Sequence, residues 1–266
     1  MEYLTFAKQL ATDAGQALLI VYQQQPNYLN VRQSPKGLKL AEDKTIDQFI
    51  VDRIQTQFPS HCILTEESGL VHRRDAVCNI STVADHKQLW IIDPIDGSVN
   101  FSIHNPFVAI SIALLTDGQL EIGVIEAPLL GEQFVAVRGQ GATVNGQPIK
   151  VSTTTHLSDA YLVSCDGGMT DRTQVFSTLI RNYYDQVKDL RKLGSAALEC
   201  AFVAAGRADG YITMAIDPWD VAAGVLLVQE AGGHVTTFDG QAWQPRPVDL
   251  ICSNGLIHSA LQERLW

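Results

Sequence analysis

Two aspartates, Asp93 and Asp96, stand three positions apart directly after a short apolar run over residues 89–92. The run is typical of a buried strand, and Pro94 and Gly97 are typical of a turn that stops it. Two carboxylates held ~4 Å apart on one turn repel each other by roughly 1 kcal/mol in water and about 4 kcal/mol at an effective dielectric of 20. A divalent metal ion between them would offset that repulsion, whereas the simpler interpretation is that aspartate merely suits turns.

Two other acids stand at the ends of predicted elements. Glu66 directly follows a predicted strand over residues 61–65. Asp220 falls in the first turn of a predicted helix, with Asp217 as its N-cap and Pro218 as its first residue. Its alternative role is to complement the helix dipole. Because strand ends and helix starts meet along one edge of a layered fold, we expect these acids to converge on the aspartate pair.

Asp43 stands at the beginning of another predicted helix, where a role as N-cap is an equally good explanation of it. The seven histidines show no ligand spacing near any of the acids. Carboxylates without histidine or cysteine partners suit hard cations such as Mg²⁺ or Mn²⁺. The site is therefore predicted to be a carboxylate metal centre.

Composition and charge exclude several classes of protein. The chain has 266 residues, enough for one large domain or two packed subdomains. Its formal net charge of −10 argues against a nucleic-acid-binding surface. The N-terminus lacks a signal-peptide pattern, and the longest apolar stretch, residues 107–115, is too short to span a bilayer. We expect a cytoplasmic protein without nucleic-acid or membrane partners.

The five cysteines are scattered and never stand in a Cys-x-x-Cys spacing. This pattern predicts reduced thiols rather than a disulfide framework or a zinc site.

Hydrophobic periodicity divides the chain into two predicted subdomains. Residues 1–152 read as an α+β subdomain that carries most of the acids, and residues 153–266 read as alternating strands and helices that supply Asp220. Asp117-Gly118 and Asn145-Gly146 are predicted hairpin turns. The predicted helices cover residues 3–22, 43–58, 171–184, 195–205, 218–231 and a last segment from 257. The predicted strands cover residues 61–65, 89–92, 107–115, 120–126, 132–137, 149–152, 160–164, 187–193, 211–214, 235–238 and 250–252. Residues 23–39 are predicted to be a loop.

Other chemistries fit the sequence less well. Aspartate-nucleophile phosphatases separate their two aspartates by one residue, and here two residues intervene. The chain has no Gly-x-Ser-x-Gly elbow, Walker loop or His-Glu-x-x-His motif.

Six segments of the chain form a characteristic set: residues 65–68 (Thr-Glu-Glu-Ser), 90–100 (Trp-Ile-Ile-Asp-Pro-Ile-Asp-Gly-Ser-Val-Asn), 139–146, 194–198, 205–210 and 218–224. Together they resemble the inositol monophosphatase family, in the right order and over nearly the whole chain. The resemblance implies a layered α-β-α-β-α sandwich of the α+β or α/β class, usually dimeric. It also implies a lithium-sensitive phosphoric monoester hydrolase that uses Mg²⁺, or Mn²⁺ as a substitute, on a small phosphorylated metabolite.

The resemblance also implies a ligand set for two to three ions. Glu66, Asp93 and the backbone carbonyl of Ile95 would hold one ion. Asp93, Asp96 and Asp220 would hold a second, and a third, weaker ion would lean on Glu66 and water. In this arrangement Asp93 bridges two ions about 3.5–4 Å apart.

The family likeness implies catalytic and substrate-binding residues as well. Asp43 and Ser98 would orient and deprotonate the attacking water, a step typically worth ~10²–10⁴-fold, and Glu66 is the third catalytic residue. Backbone amides would receive the phosphate and the substrate hydroxyls. The predicted substrate contacts are Gly97, Ser98, Gly194, Ser195, Ala196, Thr213 and Asp220.

The chain departs from the family pattern at three places. Ser98 stands where inositol-type members have Thr, and the serine retains the hydroxyl group. Thr213 stands where inositol-preferring members have Glu, which leaves sugar phosphates, fructose 1,6-bisphosphate, histidinol phosphate and nucleotide 2′- or 3′-phosphates open as substrates. The segment over residues 40–42 also departs from the family's Thr-containing pattern, and either Arg32 or Lys36 could cover the phosphate.

The alternative from another class is a regulatory or binding protein on the same scaffold, since a fold does not determine its use.

Overall fold

A computed structural model describes residues 2–24, 32–34, 37–39, 41–71, 87–165, 167 and 172–265, with the backbone alone at 32–34, 37–39, 41 and 172–176. The helices are α1 (Glu2–Gln24), α2 (Ala41–Gln57), α3 (Ser98–Ser102), α4 (Arg172–Tyr183), α5 (Ala196–Ala204), α6 (Pro218–Glu230) and α7 (His258–Gln262). The strands are β1 (Arg32–Ser34), β2 (Gly37–Lys39), β3 (Cys62–Thr65), β4 (Gly69–Val71), β5 (Gln88–Asp96), β6 (Ala109–Thr116), β7 (Gln119–Ala127), β8 (Glu132–Val137), β9 (Gly141–Val144), β10 (Gln147–Ile149), β11 (Tyr161–Ser164), β12 (Asp189–Arg191), β13 (Gly210–Ile216), β14 (His234–Thr237) and β15 (Val248–Ser253).

Two mixed sheets form the framework. The larger has eight strands in the order β10-β9-β8-β7-β6-β5-β3-β4, and β3 runs parallel to β5 while the other pairs are antiparallel. The smaller has five strands in the order β12-β11-β13-β15-β14, with β11 parallel to both of its neighbours. Because β3 and β5 are parallel neighbours, their carboxyl ends lie side by side, which is where Glu66 and Asp96 stand.

Five layers of helices and sheets pack together through three buried apolar clusters. The first joins α1 and α2 to one face of the eight-stranded sheet, including Trp90 and Ile92. The second joins the other face, including Ile91, to α5, α6 and the five-stranded sheet. The third covers the far face of the five-stranded sheet with α4 and α7, including Tyr183 and Leu261. The predicted α-β-α-β-α sandwich is confirmed.

The alternation of side chains along β5 explains why the sequence folds this way. Successive residues of a strand point to opposite faces, so Trp90 and Ile91 enter different clusters although both are fully buried. A strand that is buried on both faces reads as an uninterrupted apolar run. The aspartates at its end are therefore buried as well.

The predicted hairpin turns are confirmed by backbone geometry. Asp117 and Gly118 have φ angles of 49° and 73°, and they join β6 to β7. Asn145 and Gly146 have φ angles of 49° and 77°, and they join β9 to β10. Positive φ at both central residues is the geometry that tight hairpins require.

Three predictions of local structure are wrong. Pro94 does not end the strand: β5 continues to Asp96 through an irregularity, after which Asp96 pairs with Ala109. A missing N–H interrupts one rung of the ladder without preventing the next. The predicted loop over residues 23–39 contains the antiparallel pair β1–β2, and β9 was not predicted at all; strands of three or four residues are too short to show periodicity.

The expectation of reduced thiols is wrong for Cys62, which is disulfide-bonded. Cys165, Cys200 and Cys252 are free, and Cys78 lies outside the described residues. Sequence spacing carries no information about which distant thiols meet in space, which is why the bond was missed. Within the part of the chain that the structure describes, no helix has the length and apolarity needed to cross a membrane.

Candidate active site

The turn after β5 is shaped by its own backbone contacts. The Ile95 N–H donates to Asp93 Oδ1 at 3.0 Å, and the Ser98 hydroxyl donates to the Ile95 carbonyl at 3.1 Å. Gly97 has a φ of 94°, and a Cβ there would lie 2.7 Å from the Phe107 carbonyl oxygen. Only glycine fits that position without a backbone shift. Asp93 and Asp96 are 1% and 7% exposed.

The start of α6 holds Asp220. Asp217 is the N-cap and Pro218 the first helical residue, as predicted. The Asp217 N–H donates to an Asp220 side-chain oxygen at 3.2 Å, one half of a reciprocal capping box. The cap turns the Asp220 carboxylate back toward the helix start, where it meets the end of β5.

Asp93, Asp96 and Asp220, called the acid cluster below, come together at this point. Each offers a carboxylate oxygen, and these oxygens all lie within 4.8 Å of one another. Burial raises the pKa of Asp93 well above its ordinary value, and the neighbouring charges of Glu66, Asp96, Asp220 and Asp43 raise it further. Burial, Asp96 and Glu66 likewise raise the pKa of Asp220.

The acid cluster fits a divalent cation. Its donors are all carboxylate oxygens, which hard ions prefer, and burial together with the neighbouring carboxylates raises the pKa values of Asp93 and Asp220. The charges of Glu66 and Asp43 act on the same carboxylates. The structure therefore brings Asp93, Asp96 and Asp220 together, and the charge of Glu66 acts on two of them.

Asp96 also joins the acid cluster to the start of α5. Its carboxylate accepts the Ser195 hydroxyl at 2.5 Å, the Ala197 N–H at 2.7 Å and the Ala196 N–H at 3.2 Å. Burial raises the pKa of Asp96 to about 6, although these three hydrogen bonds oppose the rise. The sequence did not reveal this contact, which links positions about 100 residues apart. The Ala196 amide, predicted to face substrate, here donates to Asp96.

An open cavity of about 400 Å³ lies over the acid cluster. Glu66, Asp96 and Asp220 line its acidic side, and Gly194 and Ala196 line the side formed by α5. Carboxylates and a helix N-terminus that line one cavity suit a ligand that carries an anion together with metal ions.

Asp43 is 4% exposed and lies within the first turn of α2, two residues after Ala41. The interpretation of Asp43 as an N-cap is therefore wrong. Its carboxylate instead acts on Asp93, and its pairing with Ser98 stays a prediction. Lys36 lies outside the described residues, and Arg32 is described by its backbone alone.

Thr213 is fully buried and stands behind the cavity rather than on its wall. Its hydroxyl lies 3.3 Å from the sulfur of Cys165, which does line the cavity. The Cys165 sulfur is also 2.8 Å from the Tyr211 hydroxyl. Sequence reasoning missed Cys165, since nothing in its surroundings along the chain marks it.

Comparisons with known proteins identify relatives along nearly the whole chain. The family model described as "Inositol monophosphatase family" matches residues 1–266. A protein of Thermotoga maritima, "Fructose-1,6-bisphosphatase/inositol-1-monophosphatase", is 37% identical over 258 residues, which are 97% of this chain and 93% of that protein. A "Nus factor SuhB" of Salmonella typhimurium is 36% identical over 241 residues, 89% of this chain and 85% of that one.

A solved structure has the same fold. The inositol monophosphatase from Anabaena (Nostoc) sp. PCC 7120 superposes with a TM-score of 0.84 at 35% identity, covering 99% of this chain and 95% of that chain. The whole-chain match, the identities and the shared fold agree with one another. This chain belongs to the inositol monophosphatase family.

Proposed function

We propose that the chain is a Mg²⁺-dependent phosphoric monoester hydrolase that acts on a small phosphorylated metabolite. The observation that carries the proposal is the acid cluster, whose three carboxylates converge under an open cavity with Glu66 and Asp43 close enough to act on them electrostatically. A buried set of mutually repelling acids is costly to keep. Such a set is typical of a functional site.

The proposed ion positions follow the family's ligand set. Glu66, Asp93 and the Ile95 carbonyl would hold one Mg²⁺, while Asp93, Asp96 and Asp220 would hold a second. A third ion would lean on Glu66. When bound, these ions supply positive charge at the phosphate and lower the pKa of water.

The remaining work falls to residues of the chain. Ser98 and Asp43 orient the attacking water and take its proton; the Ser98 hydroxyl stands on the same turn as the acid cluster, which supports this role. The Asp43 carboxylate is buried, so it is held in a fixed position. General-base assistance of this kind is typically worth ~10²–10⁴-fold.

Phosphate recognition is assigned to backbone amides on two facing segments. Gly97 and Ser98 offer the start of α3, and Gly194, Ser195 and Ala196 offer the start of α5. The dipole at the N-terminus of a helix favours an anion, although the N–H groups of Gly194 and Ala196 donate here to Glu199 and Asp96. The closeness of the two segments supports the assignment, since a Cβ on Gly97 would lie 3.2 Å from the Gly194 carbonyl oxygen.

The leaving group is proposed to be a sugar, nucleoside or similar alcohol rather than myo-inositol alone. Thr213 brings no carboxylate to the cavity, and it is fully buried. Fructose 1,6-bisphosphate, histidinol phosphate and nucleotide 2′- or 3′-phosphates are the alternatives. The relative named for both fructose-1,6-bisphosphatase and inositol-1-monophosphatase supports a broad choice. The proposal also includes inhibition by lithium and a homodimer, on the family resemblance.

A regulatory or binding protein on the same scaffold is the second candidate function. Several relatives carry the name "Nus factor SuhB", at 34–39% identity, and this observation favours it.

One experiment separates the two functions. Release of inorganic phosphate is measured over some tens of small phosphate esters, each with Mg²⁺ and with EDTA. Mg²⁺-dependent release from at least one ester supports the phosphatase. If no ester in the panel releases phosphate, the phosphatase proposal is overturned in favour of the binding protein.

A further inference from the structure

Two buried side chains hold the backbone of Leu193, one from helix α5, which follows directly, and one from α3, 93 residues earlier in the chain. The Leu193 N–H donates to Glu199 Oε1 at 2.9 Å, and the Leu193 carbonyl accepts from Asn100 Nδ2 at 2.8 Å. Glu199 is 0% and Asn100 7% exposed. Neither side chain belongs to the proposed ligand set or to the proposed proton path. Both act on the residue directly before Gly194.

Gly194 is confined by the same two side chains. Its N–H donates to Glu199 Oε1 at 3.3 Å. Its φ is +81°, and a Cβ there would lie 3.1 Å from Asn100 Nδ2. The loop before α5 therefore packs tightly against the α3 segment and has little room to shift.

Asn100 connects this loop to a third segment. Its amide group also donates to the Phe107 carbonyl at 2.8 Å, so both amide hydrogens are used on backbone carbonyls. Its Oδ1 accepts from Asn105 Nδ2 at 3.2 Å. One side chain thus fixes the distance between the segment after α3 and the segment before α5, both of which line the cavity.

We propose that Asn100 and Glu199 are positioning residues. By hydrogen bonding to the backbone of Leu193, they hold the Gly194–Ala196 segment in the position that binds the substrate phosphate. The inference rests on the proposed function, which assigns the phosphate to that segment. Positioning matters because a misplacement of about 1 Å can cost about 10²-fold in rate. Glu199 is fully buried, and Asn100, which is 7% exposed at the cavity, uses both amide hydrogens on backbone carbonyls.

The chemistry of Glu199 defines the conservative variant. Burial raises the pKa of Glu199 to about 8, although the N–H groups of Leu193 and Gly194 oppose the rise. The role requires only an acceptor oxygen at Oε1, and Glu199→Gln retains one. Glu199→Met has a similar length and no acceptor, so it leaves two buried N–H groups without a partner. Asn100→Asp keeps the shape and removes both donated bonds.

Two matched controls lie elsewhere in the fold. Asn254, 4% exposed, also donates two bonds, to Ser152 Oγ and to the Thr154 carbonyl. Glu230 also accepts two backbone N–H groups, those of Gly139 and Gly141, at 2.8 Å each. Asn254→Asp and Glu230→Met therefore make the same kinds of change away from the cavity.

The test has two readouts that need no turnover and one set of kinetic readouts that does. Amide hydrogen exchange is followed by mass spectrometry in peptides covering residues 193–197. Competitive inhibition by inorganic phosphate, kcat and KM are measured with the best ester of the panel. Phosphate binding to the Mg²⁺-loaded chain is also measured by calorimetry.

Asn100→Asp and Glu199→Met are expected to speed exchange at 193–197 and to weaken phosphate about tenfold or more, the effect of one lost hydrogen bond. Glu199→Gln should restore both values, and the two controls should lower the melting temperature without changing either. Exchange or phosphate affinity that is unchanged in Asn100→Asp and Glu199→Met overturns the inference, as does the same change in the controls. A wild-type chain that binds phosphate without turning over any ester overturns the proposed function alone. A wild-type chain that binds no phosphate overturns both.

Discussion

The acid cluster and the ring of His258 are both buried and titratable, but they differ in how the surrounding residues satisfy them. The His258 ring has a partner on each nitrogen: Nε2 lies 2.9 Å from Thr236 Oγ1, and Nδ1 lies 2.9 Å from Ser253 Oγ. Burial, and then the neighbouring His234, lower its pKa to about 4, so the ring is neutral. In the acid cluster, burial and the neighbouring carboxylates instead raise the pKa values of Asp93 and Asp220.

The difference separates a structural group from a functional one. Hydrogen bonds from the chain itself satisfy His258, as is usual for buried polar groups. The acid cluster costs stability until something positive binds to it. A buried group that the fold leaves unbalanced, beside a cavity, is therefore the better indicator of chemistry.

The largest expected effect comes from Asp93→Asn. We expect Mg²⁺-dependent phosphate release to fall by about 10³-fold or more, because losing even an outer partner of a metal ligand typically costs about 10–100-fold. The melting temperature in EDTA should not fall, since one repelling charge has been removed.

Asp209→Asn is the matched control for that prediction. Asp209 is 4% exposed and accepts bonds from the Ser152 hydroxyl and the Tyr161 N–H. We expect it to lower the melting temperature while leaving kcat/KM of the folded protein unchanged. The prediction is contradicted if the Asp93→Asn protein retains activity or loses it only because it unfolds. The acid cluster would then have a purely structural role, like Asp209.

Next in size is the pH dependence of the metal-free chain. Asp96 has an ordinary pKa of 3.8 and a folded-state pKa of about 6, so between these values the folded state binds more protons than the unfolded state. By linkage, this contribution is full below pH 3.8 and is lost as the pH rises through about 6. At about 1.4 kcal/mol for each unit of pKa difference, Asp96 accounts for about 3 kcal/mol, and Asp93 and Asp220 act in the same direction.

Urea unfolding at pH 4 and pH 7, in EDTA and in Mg²⁺, measures this difference. The free energy that Mg²⁺ adds should be larger at pH 7 than at pH 4 by about 3 kcal/mol or more. An equal gain at both pH values would contradict the assignment of the ion to these carboxylates.

The smallest effect belongs to His258 and has the opposite sign. Its pKa falls from an ordinary 6.5 to about 4 in the folded state, so the unfolded state binds more protons between these values. Stability is therefore lost as the pH falls from 6.5 to 4, by about 2 kcal/mol once partial solvation of the ring is allowed for. In Mg²⁺, urea unfolding of His258→Asn should show a shallower decline over this range than wild type; parallel curves would show that His258 does not titrate as described.

Those elements that rest on local chemistry were predictable from the sequence. Asp117-Gly118 formed its hairpin turn because both residues tolerate positive φ. Asp217-Pro218 began α6 because an N-cap acid and an N1 proline suit a helix start. The aspartates of β5 were found because their mutual repulsion is visible in the spacing alone.

What the sequence did not reveal depends on contacts between distant segments. No local pattern relates the residues that form these contacts. Examples are the hydrogen bonds of Asp96 to the start of α5, those of Asn100 and Glu199 to the Leu193 backbone, and those of His258 to its two hydroxyl partners. The continuation of β5 past Pro94 was missed for a related reason. A strand's end is decided by its neighbour β6 as well as by its own residues.

The central claim is that the acid cluster binds the divalent ion on which phosphate release depends. Calorimetric titration of Mg²⁺ into the EDTA-treated and dialysed chain at pH 7 tests it most directly, with wild type, Asp93→Asn and Asp209→Asn side by side. We expect wild type and Asp209→Asn to bind Mg²⁺ with similar affinity, and Asp93→Asn to bind it at least about 10²-fold more weakly. Equal binding by all three proteins would contradict the account.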